Sequence, residues 1–397
     1  MAVITPPKYV RQVLLTLQAR GHLAYLVGGC VRDIILGVRP QDWDVCTSAQ
    51  PQEISDIFPS SRPTGIKHGT VSVCQSSHWI EVTTFRSEGG YSDHRHPDAV
   101  SFVGDLTADL SRRDFTMNAI ALPPDGLMAD PFGGIEDIER RLIRCVGSPE
   151  LRFEEDALRM LRALRFSARL GFEREEETLA AIRARAPLSA LLAAERVRDE
   201  LEKILLSPAP ETAARLIELG LLDGWLERGA VDTARLARIA ALPRKPLPRW
   251  AALCCILLRS GCIGSTESFL LSMKLDSRTV RCCSDCAYIL QLDVPSSNVA
   301  WKRLLNRFGV DAVCCAAQCY DVFFGSGCER ALKSVLKSGE CFSMKHLAVS
   351  GDDLLELGLS GRELGEMLRF LLDYVMEYPE NNRRELLLSL ARGSEEN

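Results

Sequence analysis

The chain has 397 residues and a formal net charge of −5, with 53 acidic and 48 basic side chains. This length predicts two or more domains, and the negative balance excludes a protein that binds nucleic acid through its overall charge. Residues 1–21 carry prolines and charges in place of a long apolar stretch, and the longest apolar run, residues 251–258, is too short to cross a bilayer. We therefore expect a soluble, cytoplasmic protein with neither membrane nor DNA among its partners.

Short apolar runs separated by glycine and proline fill the N-terminal part of the chain. Their alternation predicts strands, and longer periodic segments predict helices. The predicted strands are residues 23–27, 43–46, 70–75, 79–85 and 100–103, and the predicted helices are residues 8–20, 31–36 and 51–58. This part is therefore predicted to be an α/β domain.

Two short motifs in this domain carry recognisable chemistry. Gly28-Gly29 leads into a predicted helix, where free backbone N–H groups, together with Arg32, can cradle a triphosphate. Asp42 and Asp44 stand at i and i+2 on a predicted strand, so both side chains point to one face and can hold Mg²⁺ ions. Either motif alone also fits an ordinary turn or a solvated strand end. In this order they predict two-metal nucleotidyl transfer.

The next predicted strands add three features. Glu81 lies on a neighbouring strand, either as a third carboxylate or as a surface charge. Arg86 opens a polar stretch, residues 87–97, with too few apolar side chains to pack. We expect this stretch to be mobile and to act as a lid or lever beside the nucleotide site.

A conspicuous polar segment follows at residues 112–121. Arg113, Asp114 and Asn118 are the residue types that contact phosphate and ribose hydroxyls. The same segment also fits the start of a helix with Asp114 as its N-cap.

From about residue 136 the apolar side chains recur at helical spacing, so the remaining two-thirds is predicted to be all-α. Arginines are dense between Arg140 and Lys203 and include Arg162 and Arg165. Guanidinium groups match phosphate geometry well, although acidic neighbours account for about half of them as solvated helix faces. The fifteen cysteines favour packing in a reduced core over disulfides or a zinc site.

Asp156 and Arg159 are predicted to lie side by side on one helix face, at i and i+3. Such a pair can accept from the amino group of cytosine or adenine and donate to the ring, whereas guanine and uracil present the opposite pattern. An isolated Asp-x-x-Arg is more simply a surface ion pair. Its place after a nucleotidyl-transfer domain favours base recognition.

Taken in order, these motifs resemble motifs A to E of the class II CCA-adding tRNA nucleotidyltransferases, a branch of the polymerase-β superfamily that includes bacterial poly(A) polymerases. The match spans roughly residues 20–205. The residues that carry it are Gly28-Gly29-x-x-Arg32-Asp33, Asp42-x-Asp44, Arg112-Arg113-Asp114-Phe115-Thr116-x-Asn118-Ala119, Asp130-Pro131-Phe132-Gly133-Gly134, Glu155-Asp156-x-x-Arg159 and Glu195-Arg196.

The resemblance implies a polymerase-β-like head with a mixed sheet of about five strands (residues 1–138). An all-α neck (139–206), body (207–310) and tRNA-binding tail (311–397) would follow. It implies Asp42 and Asp44 as catalytic Mg²⁺ ligands. The implied nucleotide-binding residues are Gly28, Gly29, Arg32, Arg113, Asp114, Asn118, Asp156, Arg159, Arg162 and Arg165. Further candidates are Glu81, Arg86, Arg95, Glu155, Glu195 and Arg196, of which the last two would brace the neck behind the base-selecting pair.

The implied activity is addition of C, C and A to the 3′ end of tRNA from CTP and ATP, with release of pyrophosphate and with contacts to the tRNA acceptor and elbow. Residues 87–97, with Asp93-x-Arg95, favour addition of the terminal A. Two alternatives stay open: a poly(A) polymerase or A-adding partial enzyme of the same family, and a non-catalytic RNA-binding module on the same fold. The presence of both aspartates and of Asp156 and Arg159 favours an enzyme.

Overall fold

The structure is a computed structural model that describes residues 5–91, 97–227 and 229–393. The chain divides into two compact units, one ending at Gly224 and one beginning at Trp225. The first contains all the described strands and the second is entirely helical in its described part. The predicted order, an α/β region followed by helices, is confirmed.

A mixed sheet of six strands organises the first unit, in the order β3-β4-β5-β2-β1-β8. Only β2 and β5 run parallel; the other neighbours are antiparallel. Its strands are β1 (Ala24–Val27), β2 (Asp44–Thr47), β3 (Ser61–Gly65), β4 (Thr70–Gln75), β5 (His78–Thr84) and β8 (Ala121–Leu122). The sequence missed β3, which contains Pro63 and no apolar alternation, and β8, which has two residues.

A separate two-stranded hairpin pairs β6 (Arg86–Gly89) with β7 (Ala99–Phe102). Residues 87–89 of the polar stretch 87–97 are therefore part of a strand, whose backbone is held by β7 despite the polar side chains; the expected mobility of the stretch stays a prediction. The strand expected at residues 100–103 exists but does not join the main sheet. Residues 92–96, including Arg95, lie outside the described residues.

One face of the main sheet is covered by helices. Alternate side chains of β4 and β5, including Val71, Val73, Ile80 and Val82, are buried there against the first and third helices. The helices of the first unit are α1 (Lys8–Ala19), α2 (Gly29–Ile35), α3 (Pro51–Ile57), α4 (Leu106–Ser111), α5 (Gly134–Glu139), α6 (Pro149–Glu155), α7 (Leu158–Leu170), α8 (Glu176–Arg185), α9 (Ala194–Leu205) and α10 (Thr212–Glu218).

The region predicted to be a continuous helical neck has two departures. A short parallel pair, β9 (Leu142–Ile143) and β10 (Glu173–Arg174), interrupts it. The helical stretch expected across residues 155–165 also breaks, because Asp156 has an extended backbone (φ −143°, ψ 101°) and ends α6. Helix α7 follows and packs against α9, with nearly all of its side chains buried.

The second unit is a helical bundle. Its helices are α11 (Thr233–Arg238), α12 (Pro246–Arg259), α13 (Thr266–Ser272), α14 (Ser277–Ile289), α15 (Asn298–Phe324), α16 (Cys328–Ser338), α17 (Gly351–Leu355), α18 (Gly361–Glu377) and α19 (Arg384–Gly393). Helix α15 kinks at Gly309, where φ is +78°. The expected boundary between body and tail falls beside this kink; the three boundaries between the four predicted domains themselves stay predictions.

All fifteen cysteines are free thiols, and all but Cys74 and Cys314 are buried. The prediction that they pack as small apolar side chains is confirmed. In the parts of the chain that the structure describes, no helix is long and apolar enough to cross a membrane.

Candidate active site

Two carboxylates meet on the neighbouring central strands β2 and β5, where β2 begins. Asp44 is the first residue of β2 and is the register partner of Glu81 on the parallel strand β5. Register partners point to the same face, about 4.8 Å apart. Asp42 lies in the bend before β2 and is exposed, so the prediction that both aspartates sit on one strand is wrong for Asp42. Glu81 is in the place where a third carboxylate would act.

The negative charges of Asp44, Glu81 and Asp42 repel one another. Burial raises the pKa of Asp44 above its ordinary value, the nearby Glu81 and Asp42 raise it further, and Arg113 opposes the shift. A divalent cation would relieve this repulsion, and carboxylate oxygens are hard donors that suit one.

Among the described residues no group of three or more His, Cys, Asp or Glu side chains is arranged to enclose a metal ion. Asp44 and Glu81 still offer adjacent carboxylate oxygens, which are the donors that hard divalent cations take.

The turn at Gly28 brings the backbone against these groups. Gly28 has φ +75° and ψ −138°, a conformation that side chains rarely adopt, and precedes α2. A Cβ atom there would stand 3.3 Å from Nη1 of Arg113 and 3.7 Å from Oδ2 of Asp44. Gly29 is the first residue of α2. The turn thus leaves its backbone uncovered by a Cβ atom; its role in binding phosphate stays a prediction.

Arg32 and Asn118 are tied into one buried chain of hydrogen bonds. The Arg32 guanidinium donates to Oδ1 of Asn118 at 2.7 Å and to Oδ1 of Asp33 at 2.7 and 3.0 Å. Asn118 in turn donates to Oδ1 of Asp114 at 3.0 Å. Arg32 is 2% exposed, and its guanidinium is bound by Asn118 and Asp33; its expected contact with the triphosphate stays a prediction.

Asp114 is the last residue in that series of hydrogen bonds and connects it to α7. Its second oxygen accepts from Nε and Nη2 of Arg162 at 2.9 and 2.5 Å. Burial alone would raise the pKa of Asp114, but Arg162 and the hydrogen bond from Asn118 outweigh burial and hold the pKa well below its ordinary value. The alternative that Asp114 caps a helix is wrong, because the 3₁₀ turn over residues 116–118 has Phe115 at its N-cap and no side-chain cap.

Sequence reasoning missed Asp109, which organises the arginines of this site. Asp109 is fully buried and accepts from Arg112 at 2.8 and 3.1 Å, from Arg113 at 3.3 Å and from the amide of Arg86 at 3.3 Å. Arg112 and Arg86 also share Glu88. The sequence did contain a signal for this cluster: Asp109 precedes Arg112 by three residues and Arg113 by four, the spacing of neighbours on a helix.

Arg113 keeps one donor free for a ligand. Its Nε is buried and finds no hydrogen-bond partner among the described residues. Since buried donors are nearly always paired, this atom is available to an anionic or polar group of a ligand.

A cavity of about 250 Å³ opens between the head and α7. It contains both members of the predicted base-selecting pair. The lining residues are Arg112, Arg113, Asp114, Asp156, Leu158, Arg159, Arg162 and Arg196.

Asp156 and Arg159 are held by different partners, so they do not form the surface ion pair that was the alternative to base recognition. Asp156, in the break between α6 and α7, accepts from both Nη atoms of Arg196 at 3.1 and 2.9 Å. Arg159 donates to Glu155 at 2.6 Å and to the carbonyl of Arg112 at 3.1 Å. The extended backbone of Asp156 removes the i, i+3 helical relation, yet both side chains face the same cavity.

Two further candidates lie away from the cavity lining. Arg165 is buried, pairs with Glu200 and stacks 4.0 Å from the Phe166 ring, so it supports α7 from within. Glu195 is exposed. Of the motif Glu195-Arg196, only Arg196 contacts the base-selecting pair.

Comparisons with known proteins identify the family of this chain. The family model of the poly A polymerase head domain matches residues 24–144, and that of the probable RNA and SrmB binding site of polymerase A matches residues 171–230. A CCA-adding enzyme of Geobacillus sp. (strain WCH70) is 41% identical over 357 residues, which cover 87% of this chain and 86% of that protein. The chain belongs to the CCA-adding enzyme family. The CCA-adding enzyme of Limosilactobacillus fermentum is 37% identical over 96% of this chain and 95% of its own length.

Solved structures of CCA-adding enzymes share the fold over the whole chain. The Bacillus stearothermophilus enzyme in complex with CTP superposes with a TM-score of 0.85 at 34% identity, covering 99% of this chain and 98% of that one. A Thermotoga maritima enzyme complexed with tRNA has the same fold, with a TM-score of 0.68 at 23% identity over 99% and 97%. The predicted family, fold class and enzyme class are confirmed; the roles of single residues stay predictions.

Proposed function

We propose that this CCA-adding enzyme extends the 3′ end of tRNA by C, C and A from CTP and ATP, with release of pyrophosphate and without a nucleic-acid template. One observation carries the proposal. Within one unit, Arg113 lines the arginine-rich cavity around Asp156 and also lies close to Asp44, the register partner of Glu81. Reaction groups and a base-selecting pocket are both needed for untemplated synthesis.

We assign Asp42 and Asp44 as the residues that hold Mg²⁺, with Glu81 as an additional carboxylate beside them. When bound, the metal activates the attacking 3′-hydroxyl and stabilises the leaving pyrophosphate. Arg113 neutralises charge next to Asp44 and offers its unpaired Nε to the triphosphate. The Gly28 turn admits the phosphates without a Cβ atom in the way.

The base is selected in the cavity. Asp156, fixed by Arg196, accepts from the exocyclic amino group shared by cytosine and adenine, while Arg159, fixed by Glu155, donates to the ring acceptors. Uracil and guanine present the opposite donor and acceptor pattern to Asp156 and Arg159, and each hydrogen bond lost in this way costs about 1–3 kcal/mol. Because Arg196 binds Asp156 and Glu155 binds Arg159, Asp156 and Arg159 do not pair with each other in the absence of a base.

Partners and compartment follow from the activity. The substrates are tRNA, CTP and ATP, and the family model over residues 171–230 supports RNA contact by the neck. The free thiols of all fifteen cysteines support a reducing compartment, which is the cytoplasm in this proposal.

The test uses purified protein, tRNA ending at the discriminator base, Mg²⁺ and one labelled nucleotide at a time. Arg159→Ala should admit UTP and GTP at a measurable rate because the pocket no longer rejects them. Selectivity equal to wild type in this variant would place base recognition elsewhere. A binding module without catalysis would incorporate no nucleotide at all.

A further inference from the structure

The face of the sheet opposite α1 and α3 carries polar side chains on neighbouring strands, from Arg62 on β3 to the carboxylates of Glu81 and Asp44 on the central strands β5 and β2. Strand register places Asp44 beside Glu81, Glu81 beside Ser72, and Ser72 beside Arg62. Adjacent strands lie about 4.8 Å apart. Arg62 is therefore two strands from Glu81, roughly 10 Å across the sheet.

Trp79 stands on the same face. It precedes Glu81 by two residues on β5, and successive side chains of a strand alternate, so Trp79 and Glu81 point the same way, about 7 Å apart along the strand. Ile80, between them, is buried on the helix-covered face, whereas Trp79 is 50% exposed.

Arg62 and Trp79 form a pair. The Arg62 guanidinium carbon lies 4.5 Å from the Trp79 ring. Arg62 is exposed and forms no salt bridge with the described residues. An exposed indole and an arginine without a carboxylate partner are the two groups that bind single-stranded nucleic acid, through base stacking and phosphate contact.

The position of this pair separates it from the nucleotide pocket. The cavity lined by Asp156 and Arg159 receives the incoming nucleotide, and neither Arg62 nor Trp79 lines it. The attacking 3′-hydroxyl must reach the carboxylates from another direction, and the open face of β3 to β5 leads there.

We propose that the exposed surface formed by Arg62 and Trp79 binds the single-stranded 3′ end of the RNA primer, with Trp79 stacking on one of the last two bases and Arg62 contacting a phosphate. The proposal rests on the proposed function. It also meets a requirement of that function: successive primers end in the discriminator base, in C and in CC. Stacking tolerates all of these because every base has a π-face.

The first measurement compares Michaelis constants of Trp79→Ala, Trp79→Phe and Arg62→Ala for tRNA and for CTP. Trp79→Ala should raise KM for tRNA about tenfold, equivalent to about 1.4 kcal/mol, with KM for CTP unchanged, and phenylalanine should restore most of the affinity. Arg11→Ala, an exposed arginine on α1, is the matched control and should leave both constants unchanged.

The second measurement is a double-mutant cycle with tRNA-CC carrying an abasic site at the last or the second-last nucleotide. In wild type, one of the two substrates should lose about tenfold in kcat/KM, and Trp79→Ala should lose nothing further on it. Additive losses on both substrates, or an unchanged KM for tRNA in both Trp79→Ala and Arg62→Ala, would overturn the proposal. Since wild type reports CCA addition in the same assay, failure of the proposed function would be seen separately. If Trp79→Ala does not fold, the KM of Arg62→Ala for tRNA and the kcat/KM of Trp79→Phe on the abasic substrates decide.

Discussion

Removing Arg196 tests whether the support of Asp156 sets base selection. Arg196→Ala deletes two charge-assisted hydrogen bonds, at 3.1 and 2.9 Å, to the Asp156 carboxylate. Bonds of this kind contribute about 1.5–3 kcal/mol each when buried. The two side chains are 23% and 18% exposed, so solvent screening reduces that contribution. We expect a combined loss of about 1.5–2.5 kcal/mol in discrimination, or roughly 10- to 70-fold.

The assay is single-nucleotide incorporation into tRNA ending at the discriminator base, with kcat/KM measured for CTP and for UTP. The ratio should fall in Arg196→Ala, because an unfixed carboxylate no longer holds the geometry that rejects uracil. Arg196→Lys keeps the charge but not the two-pronged geometry and should give an intermediate ratio.

Arg215→Ala is the matched control, since it removes an exposed ion pair with Glu218 in the same unit. The ratio should stay at the wild-type value there. A proportional loss for CTP and UTP in Arg196→Ala would refute the reasoning, because it would show a structural role for Arg196 without one in selection.

Three further predictions concern the head. Asp44→Ala should abolish incorporation of CTP and ATP while tRNA binding, measured by filter retention, stays within a few-fold, because the metal acts on the chemistry; near-normal rates would remove this assignment. Gly28→Ala should lower the free energy of unfolding by about 1–3 kcal/mol, measured in urea, because alanine is strained at φ +75°; unchanged stability would show that the turn relaxes. Asp114→Asn should be less stable than wild type at neutral pH. The folded pKa of Asp114 lies below its ordinary value near 3.8, so this stability difference should persist above about pH 4 and shrink as the pH falls below it; a pH-independent difference would contradict the ion pair with Arg162.

The sequence predicted the elements whose apolar spacing is regular. Helix α1 and strands β4 and β5 have alternating or periodic buried side chains, and all three were expected within a few residues of their observed bounds. Strand β3 was missed because hydrogen bonds to β4 define it, without an apolar pattern of its own. An apolar pattern along the chain indicates which side chains are buried. An edge strand such as β3 forms because a partner strand is available to pair with it.

The site shows the same limit. Spacing along the chain identified Asp44, Asp156 and Arg159, because short motifs carry their chemistry locally. It could not give their partners, which come from 40 residues away for Asp156 and Arg196. Asp109 was missed because its role depends on its burial beside Arg112 and Arg113, which only the fold shows.

The most direct test of the central claim is product length on a sequencing gel. Wild-type enzyme with tRNA ending at the discriminator base should add two nucleotides with CTP alone, and three, ending in A, with CTP and ATP together. Extension should then stop, and RNA without tRNA shape should not be extended. Long A tails with ATP alone on unstructured RNA would contradict the account and identify a poly(A) polymerase.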